Sequence, residues 1–569
     1  MLYLKLAEVY EDLSSTTKRL EKISILAKFL KFIPEKDTEV LYLLTGNIYP
    51  DYDERRIGIS NQLAIKAISK ATGTEKDKVV KQWKIHGDLG EVSEKLTRKK
   101  TQSTLHSHIL TTEKVLENLR KLPELEGKGT VNKKLSLITE LLTSASPLEA
   151  KYLLRTLLSD LRIGTQESTI REAIAEAFFN DKKQSAKKIQ DAIDKSNDLA
   201  VVFNTARKSK IKELEKITLQ IGKPIKAMLA QKVEKIEDGF KALGKPCAIE
   251  YKYDGFRLII HKNKDEIKLF TRRLENVTKQ FPEVIEYIKA FVKAKSAILD
   301  SEAVGFDKKT KQYKPFQHIS QRIRRKYNID ELGKKLPVEI NVFDILYYNG
   351  KSFMQEPFEK RSKLLRKIIK NHPYKIISSK QILTSDEKKA EEFYKKALKD
   401  NQEGIMMKNL KAAYQPGRRV GHMLKLKPEE RDLDLVITGA EYGTGKRSGW
   451  LSSFILSCKG KKQHEYLEIG KVSTGIKEKK EQGISYDELT KKITPLIILE
   501  KGKTVKIKPK IIIAITYQEI QRSPNYNSGF ALRFPRFTAL RTDKPLSEIN
   551  TLEEIKNNYE KQKLSYTYG

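Results

Sequence analysis

The sequence predicts a multidomain α+β chain in three parts. A helical region runs to about residue 220, a mixed α/β region covers 221–427, and a small β-barrel occupies 428–569. Three observations carry this reading. The length of 569 residues suits about three domains. Apolar spacing changes from helical to short β-rich runs near residue 222. A polar stretch with one proline, Lys427 to Asp434, divides the two strand-containing regions.

In the first region, Ser146-Pro147-Leu148-Glu149 has the form of a capping box with proline at the first helical position. Leu154, Leu157, Leu158 and Leu161 follow at helical spacing, and Ile170, Ile174, Ala177 and Phe178 repeat it. Gly222-Lys223-Pro224 is expected to end a helical stretch. From Cys247 the pattern becomes strand, tight loop, strand, a turn at Asn263 to Asp265, then strand. Residues 338–350 form another strand, closed by Asn349-Gly350, and Thr384-Ser385-Asp386-Glu387 is a second capping box. In the third region, 434–443, 454–460, 466–472 and 504–520 are short strands separated by glycine and charge. After Pro545 one helix is expected.

Lysine and arginine number 111 against 74 aspartates and glutamates, a net charge of +37. A lysine- and glutamate-rich composition from a hot habitat explains high charge but not this imbalance. The surplus points to a polyanion, nucleic acid in the first instance. A barrel of the oligonucleotide-binding (OB) kind then fits the third region best. Two distant cysteines, Cys247 and Cys458, exclude a four-cysteine zinc site and a disulfide scaffold, and suit a reducing cytoplasm. Charges interrupt every apolar run near the N-terminus, so neither a signal peptide nor a membrane span is expected.

The chemistry centres on Lys252, in the run Glu250-Tyr251-Lys252-Tyr253-Asp254-Gly255-Phe256-Arg257. Downstream stand LDSEAV (299–304), FDILYYNG (343–350), EGIMMK (403–408), LKLKP (424–428) and RFPRF (533–537). A lysine amine attacks phosphorus only when deprotonated, oriented and set among cations that hold phosphates. A free lysine titrates near ~10.4, and neighbouring cations and desolvation lower such a value. Lys425 and Lys427 alternate along a strand, face one side and can supply those cations. Asp254-Gly255 alone is a turn, in which glycine permits a tight path and Asp254 orients a cation or caps the turn. Glu302 and Glu403 fall on flanking β-motifs, where a lone glutamate is usually solvated but two together are less easily dismissed. Phe343 is a core phenylalanine or a stacking platform. Asp300 is a supporting residue or simply ends its strand.

The ordered series resembles the ATP-dependent DNA ligases, the archaeal and eukaryotic replicative type in particular, over nearly the whole chain. The helical part matches in RTLLSDLRIGTQESTIREAIAEAF (155–178). GKPIKAMLA (222–230) matches the entry to the catalytic domain, with Ala227 where a proline is usual. Met423 stands where an aromatic often precedes the lysines. The resemblance implies a DNA-binding domain at 1–220, an ATP-grasp-like adenylation (nucleotidyltransferase) domain at 221–427 and an OB-fold domain at 428–569. It implies that Lys252 attacks the α-phosphorus of ATP, forming a lysyl-adenylate and releasing pyrophosphate. The adenylyl group then passes to the 5′-phosphate of a nick, and the 3′-hydroxyl displaces AMP, in DNA replication, repair and recombination.

The same resemblance places Glu250 beside adenine and Arg257 against the nucleotide. Arg272, with Arg273 and Asn276, contacts ribose or the nick's phosphate. Glu302 binds the ribose hydroxyl or a metal, and Glu403 is the second carboxylate. Phe343 stacks on adenine, and Lys408 contacts phosphate or adenylate. Arg536, within Arg533-Phe534-Pro535-Arg536, orients pyrophosphate together with Arg541-Thr542-Asp543-Lys544. The implied cofactors are ATP and Mg²⁺, with Mn²⁺ as a substitute ion. The barrel closes over ATP and then swings away about a hinge at Lys427 to Asp434. Nicked duplex DNA is the implied partner of a monomeric enzyme. Gln102-Ser103-Thr104-Leu105 resembles a sliding-clamp docking peptide without the aromatic pair at His106 to His108, and otherwise reads as a polar loop. Alternatives share the central motifs: an RNA ligase, a GTP-using capping-type nucleotidyltransferase, or a non-catalytic DNA-binding scaffold. The helical region and RFPRF favour DNA, the missing zinc module disfavours an NAD-dependent ligase, and the intact lysines and glutamates disfavour a relict.

Overall fold

The structure, a computed structural model, describes residues 1–99, 109–127, 129–208, 211–323, 325, 327–417, 421–428, 431–478, 481 and 483–565. The clamp-like segment Gln102 to Leu105 lies outside these residues. Thirteen α-helices of the described residues fall between Tyr3 and Glu215 and share one apolar core, from Tyr3 and Leu6 to Phe203 and Leu214. Their ends follow local chemistry. Ser146 accepts from the Glu149 amide while Glu149 reaches back to the Ser146 amide, and Pro147 begins the helix Pro147–Leu157. That helix stops at Leu157, because Ser159 takes a left-handed φ of 54°, so Leu161 packs from the following loop. The last helix of this region ends at Glu215; Gly222-Lys223-Pro224 therefore lies in a loop and terminates no helix.

Two sheets follow. The smaller has strand order 231–233, 423–426, 404–408, 247–252, 381–384, with only the first pair parallel. The larger runs 266–271, 256–263, 296–306, 338–348, 351–352, with 313–314 on the strand 296–306 and 376–378 parallel to 338–348. Alternation along strands serves two cores at once: Leu258 and Ile260 pack with helices 282–291 and 358–368, while Ile259 faces Met228, Phe270 and Tyr414. The loop after Lys252 is not a hairpin. The chain leaves the smaller sheet at Lys252 and enters the larger at Phe256. Asn349 (φ 43°) and Gly350 (φ 93°) close the expected turn, since Tyr348 pairs with Lys351. Helix Glu387–Lys399 is capped by Asp386 rather than Thr384; the carboxylate accepts from Lys388 and Lys389, and Thr384 only supports the Asp386 amide.

Beyond the linker, seven strands form one bent sheet. Strand 431–442 pairs with 512–517 along its first half, with 504–507 along its second and with 451–459 on its other edge. Helix Tyr486–Ile493 packs its apolar side into the same core. Strands 497–501, 530–533 and 536–540, which carry charge or lie at a corner, extend the sequence reading, and helix Leu552–Ser565 follows Pro545 as expected.

Candidate active site

Lys252 sits at the crossover between the two sheets, and strand periodicity aims it. Ile249 and Tyr251 enter the core of the smaller sheet, so Glu250 and Lys252 face the opposite side. A row of register partners crosses that side: Lys232, Lys425, Met406, Glu250 and Gln381. Gly255 makes the crossover possible, because a Cβ there would lie 2.2 Å from the Ala303 carbonyl oxygen. Gly404, at φ 143°, lets the backbone beside Glu403 press against Leu426, where a Cβ would again stand at 2.2 Å.

These elements enclose a cavity of about 930 Å³. Lys252, Glu250, Arg257, Arg272, Glu302, Phe343, Glu403, Lys408, Lys425 and Lys427 all line it. Beyond the linker, Gln518, Glu519, Arg533 and Phe534, on or beside the two-stranded sheet 519–522/530–533, and Gln562 of the helix Leu552–Ser565 also line it. Lys252 pairs with Oε2 of Glu403, and Lys427 Nζ lies 2.6 Å from the same oxygen. Lys408 Nζ lies 2.7 Å from Glu250 Oε2, and Gln381 donates to Glu250 Oε1 at 2.7 Å. Arg257 and Lys408 each stand 4.8 Å from the Phe343 ring centre, which gives that ring two cationic neighbours. Arg257 is held by Asp300 on both forks of its guanidinium.

Burial and charge set the titration of the group. Burial alone would raise the Glu403 carboxyl, but Lys252 and Lys427 pull it down to about 2. Burial raises Glu302 to about 7 despite the charges of Lys252 and Arg257. Asp254 also rises to about 7, through burial and then the negative charges of Glu403 and Glu519, and its Oδ1 is buried with no hydrogen-bond partner among the described residues. Burial lowers the Lys427 ammonium, with Glu403 opposing and Lys252 adding. Glu250 is raised by burial although Lys408 opposes.

Two placements differ from the sequence reading. Arg536 begins the strand 536–540, is exposed and lies outside the cavity; Arg533 reaches it instead, 3.0 Å from Glu519. Phe534, at φ 50°, turns the chain between them. Arg541 and Lys544 pair with Asp434, within the strand 431–442, at 2.9 and 2.7 Å, and not with the cavity. Arg272 is exposed at the cavity edge, and the Asn276 amide donates to Glu54 of the helical region. Sequence reasoning set Asp300 aside and did not reach Tyr414 or Glu519. The two-residue step from Asp300 to Glu302 was the one available signal, since it puts both on one strand face.

A lysine at a two-sheet crossover, in a cation-lined cavity closed by a β domain, is the architecture of a nucleotide-transferring ligase. Family models agree: DNA ligase N terminus matches residues 2–175, ATP dependent DNA ligase domain 227–427 and ATP dependent DNA ligase C terminal region 447–544. DNA ligases of Nanoarchaeum equitans and Thermococcus onnurineus are 44% and 41% identical, covering 99% of this chain in each case and 99% and 98% of theirs. The chain belongs to the ATP-dependent DNA ligases. Its fold is shared with Pmar-Lig_PreS3, at TM-score 0.58 and 18% identity over 94% of this chain and 99% of that one. It is an ATP-using DNA ligase acting on nicked DNA. Among the described residues no helix is long and apolar enough to cross a membrane.

Proposed function

We propose that the chain works as three units, a DNA-binding domain (1–220), an adenylation domain (221–427) and an OB-fold domain (428–569), and that Lys252 is its nucleophile. Lys252 Nζ bonds to the α-phosphorus of ATP as the bond to pyrophosphate breaks. The adenylyl group then moves to the nick's 5′-phosphate, and the 3′-hydroxyl attacks that phosphorus to release AMP. The observation that carries the reading is the junction of Lys252, Glu403 and Lys427 inside a cavity lined by further cations. Phe343 and the Glu250 strand flank the nucleobase, and Arg257, Lys408 and Lys425 hold ribose and phosphates. Arg272 faces the nick.

Glu302 and Glu403 are the residues suited to Mg²⁺, which when bound offsets charge on the reacting phosphates. The fit rests on the donor set: hard carboxylate oxygens on one cavity, with Glu302 so desolvated that a cation favours its ionised form. No group of three or more His, Cys, Asp or Glu among the described residues forms a cage. A Mg²⁺ ion held by one or two carboxylates plus substrate phosphates needs none. Arg533 is the β-domain cation placed to meet pyrophosphate while the domain is closed. We read it as a monomer in a reducing cytoplasm, and the compartment suits two buried free cysteines. A sliding clamp engaging Gln102 to Leu105 is a further partner to test.

Incubation with Mg²⁺ and α-labelled ATP, then denaturation, tests the reading. Acid-labile label on the chain, absent from Lys252→Ala and from a labelled-GTP control, is expected. An equally labelled Lys252→Ala variant removes the assignment.

A further inference from the structure

Tyr414 lies in the irregular stretch between strands 404–408 and 423–426, outside the motifs themselves. Its ring is buried against Met228, Ile259, Phe270, Ile298 and Met423, and its amide donates to the Met354 carbonyl at 2.8 Å. Its hydroxyl has one proton and two lone pairs. The Met228 amide, at 3.0 Å, can only donate, so it takes a lone pair. The phenolic proton therefore goes to Asp300 Oδ2, 2.7 Å away. Asp300 is fully buried and also accepts from Arg257 Nε, at 2.5 Å, and from Nη2. Burial and then the Asp300 charge hold the Tyr414 phenol well above its usual value, so it stays a donor.

One hydroxyl thus ties two walls of the cavity together. Met228 begins the segment 228–230 along one wall, and Arg257 stands over Phe343 on another. We propose that Tyr414 is a positioning residue for nucleotide binding: through Asp300 it fixes the plane of Arg257, and directly it fixes the backbone at Met228. This rests on the reading of Arg257 as a nucleotide contact. Tyr414→Phe would leave the Met228 amide without a partner and take one of three donors from a buried carboxylate, with little change in ring packing.

The test is ATP titration of single-turnover self-adenylylation by the full chain. Tyr414→Phe should raise the KM for ATP roughly tenfold, the scale of a hydrogen bond to a charged group. Its maximal rate should stay within about twofold of wild type, because only binding geometry is lost. Arg257→Gln should raise KM as well, and the double variant should lose less than the product of the two single losses, the excess over Arg257→Gln alone being the Met228 contact. An unchanged KM in Tyr414→Phe, or losses that multiply in the double variant, overturns the proposal. An unchanged KM in Arg257→Gln would instead overturn the reading of Arg257, and this proposal with it. If Tyr414→Phe does not fold, Asp300→Asn tests the next link, with the same rise expected and an unchanged KM decisive against it.

Discussion

The amine of Lys427 lies 2.6 Å from Oε2 of Glu403, the oxygen that also pairs with Lys252. One carboxylate therefore orients Lys252, the proposed nucleophile, and holds a second positive charge beside it. Against burial, Lys252 and Lys427 hold that carboxylate well below the usual range, so it serves as an anchor, not as a proton acceptor. Lys427→Ala should slow single-turnover adenylylation by about 10²–10³, the scale of removing one preorganised charge-stabilising group. Lys427→Arg should retain more activity. Rapid-quench measurement of enzyme-bound label checks this, and a wild-type rate in Lys427→Ala would contradict it.

The two arginines of RFPRF should separate. Arg533 lines the cavity beside Glu519, whereas Arg536 is exposed outside it. Arg533→Ala should cut self-adenylylation by about 10² while pre-adenylylated enzyme still seals nicks, because the proposed reading uses the closed β domain in the first step alone. Arg536→Ala should cost less in that step. Equal losses from both would show that Arg533 has no special access to pyrophosphate.

Glu302 and Asp254 both titrate near 7, above the unfolded carboxylate range. A raised folded value means that the folded chain binds the proton more tightly. The resulting stability is complete below about pH 4 and is lost as pH rises through about 7. Glu403 has the opposite sign: its lowered value adds stability above its ordinary value of 4.5, lost as pH falls through about 2. Between pH 6 and 8 the first pair governs. Wild type should lose more melting temperature over that interval than Glu302→Gln does. Mg²⁺ should stabilise wild type more at pH 8 than at pH 6, where binding must displace a proton. Calorimetry on both proteins, with and without Mg²⁺, reads both effects, and parallel pH profiles would contradict them.

Affinity for nicked DNA should fall steeply with salt and vary little with sequence. The net charge of +37 and the need to seal any nick both favour phosphate contacts. With ~6–10 phosphates neutralised, affinity drops by about 10³–10⁵ between 50 and 200 mM salt. Fluorescence anisotropy across that range checks it; a flat profile would sink it.

The site residues that the sequence disclosed came from the ordered motifs and their resemblance, and strand periodicity adds why neighbours within a motif share a face. Glu250 with Lys252, and Lys425 with Lys427, stand two residues apart, so local geometry alone puts each pair on one face. The Ser146 capping box was legible for the same reason. The rest depends on meetings across the chain. Tyr414 touches Asp300 and Met228 from 114 and 186 positions away, which no local pattern encodes. Which arginine of RFPRF turns inward depends on the left-handed turn at Phe534. Asp386 displaced Thr384 as a cap because two good capping side chains stood two residues apart and the carboxylate reached two amides. Helical and strand regions were separable by apolar period, whereas the crossover of Lys252 from one sheet to the other required the pairing register.

The most direct test of the account is to find where the nucleotide is attached. Enzyme incubated with ATP and Mg²⁺ is denatured, digested under conditions that preserve a phosphoramide, and mapped by mass spectrometry. The account predicts AMP on the peptide carrying Lys252, which disappears when nicked DNA is added before denaturation. AMP on Lys408, Lys425 or Lys427 instead, or on Lys252 but unmoved by nicked DNA, would contradict it.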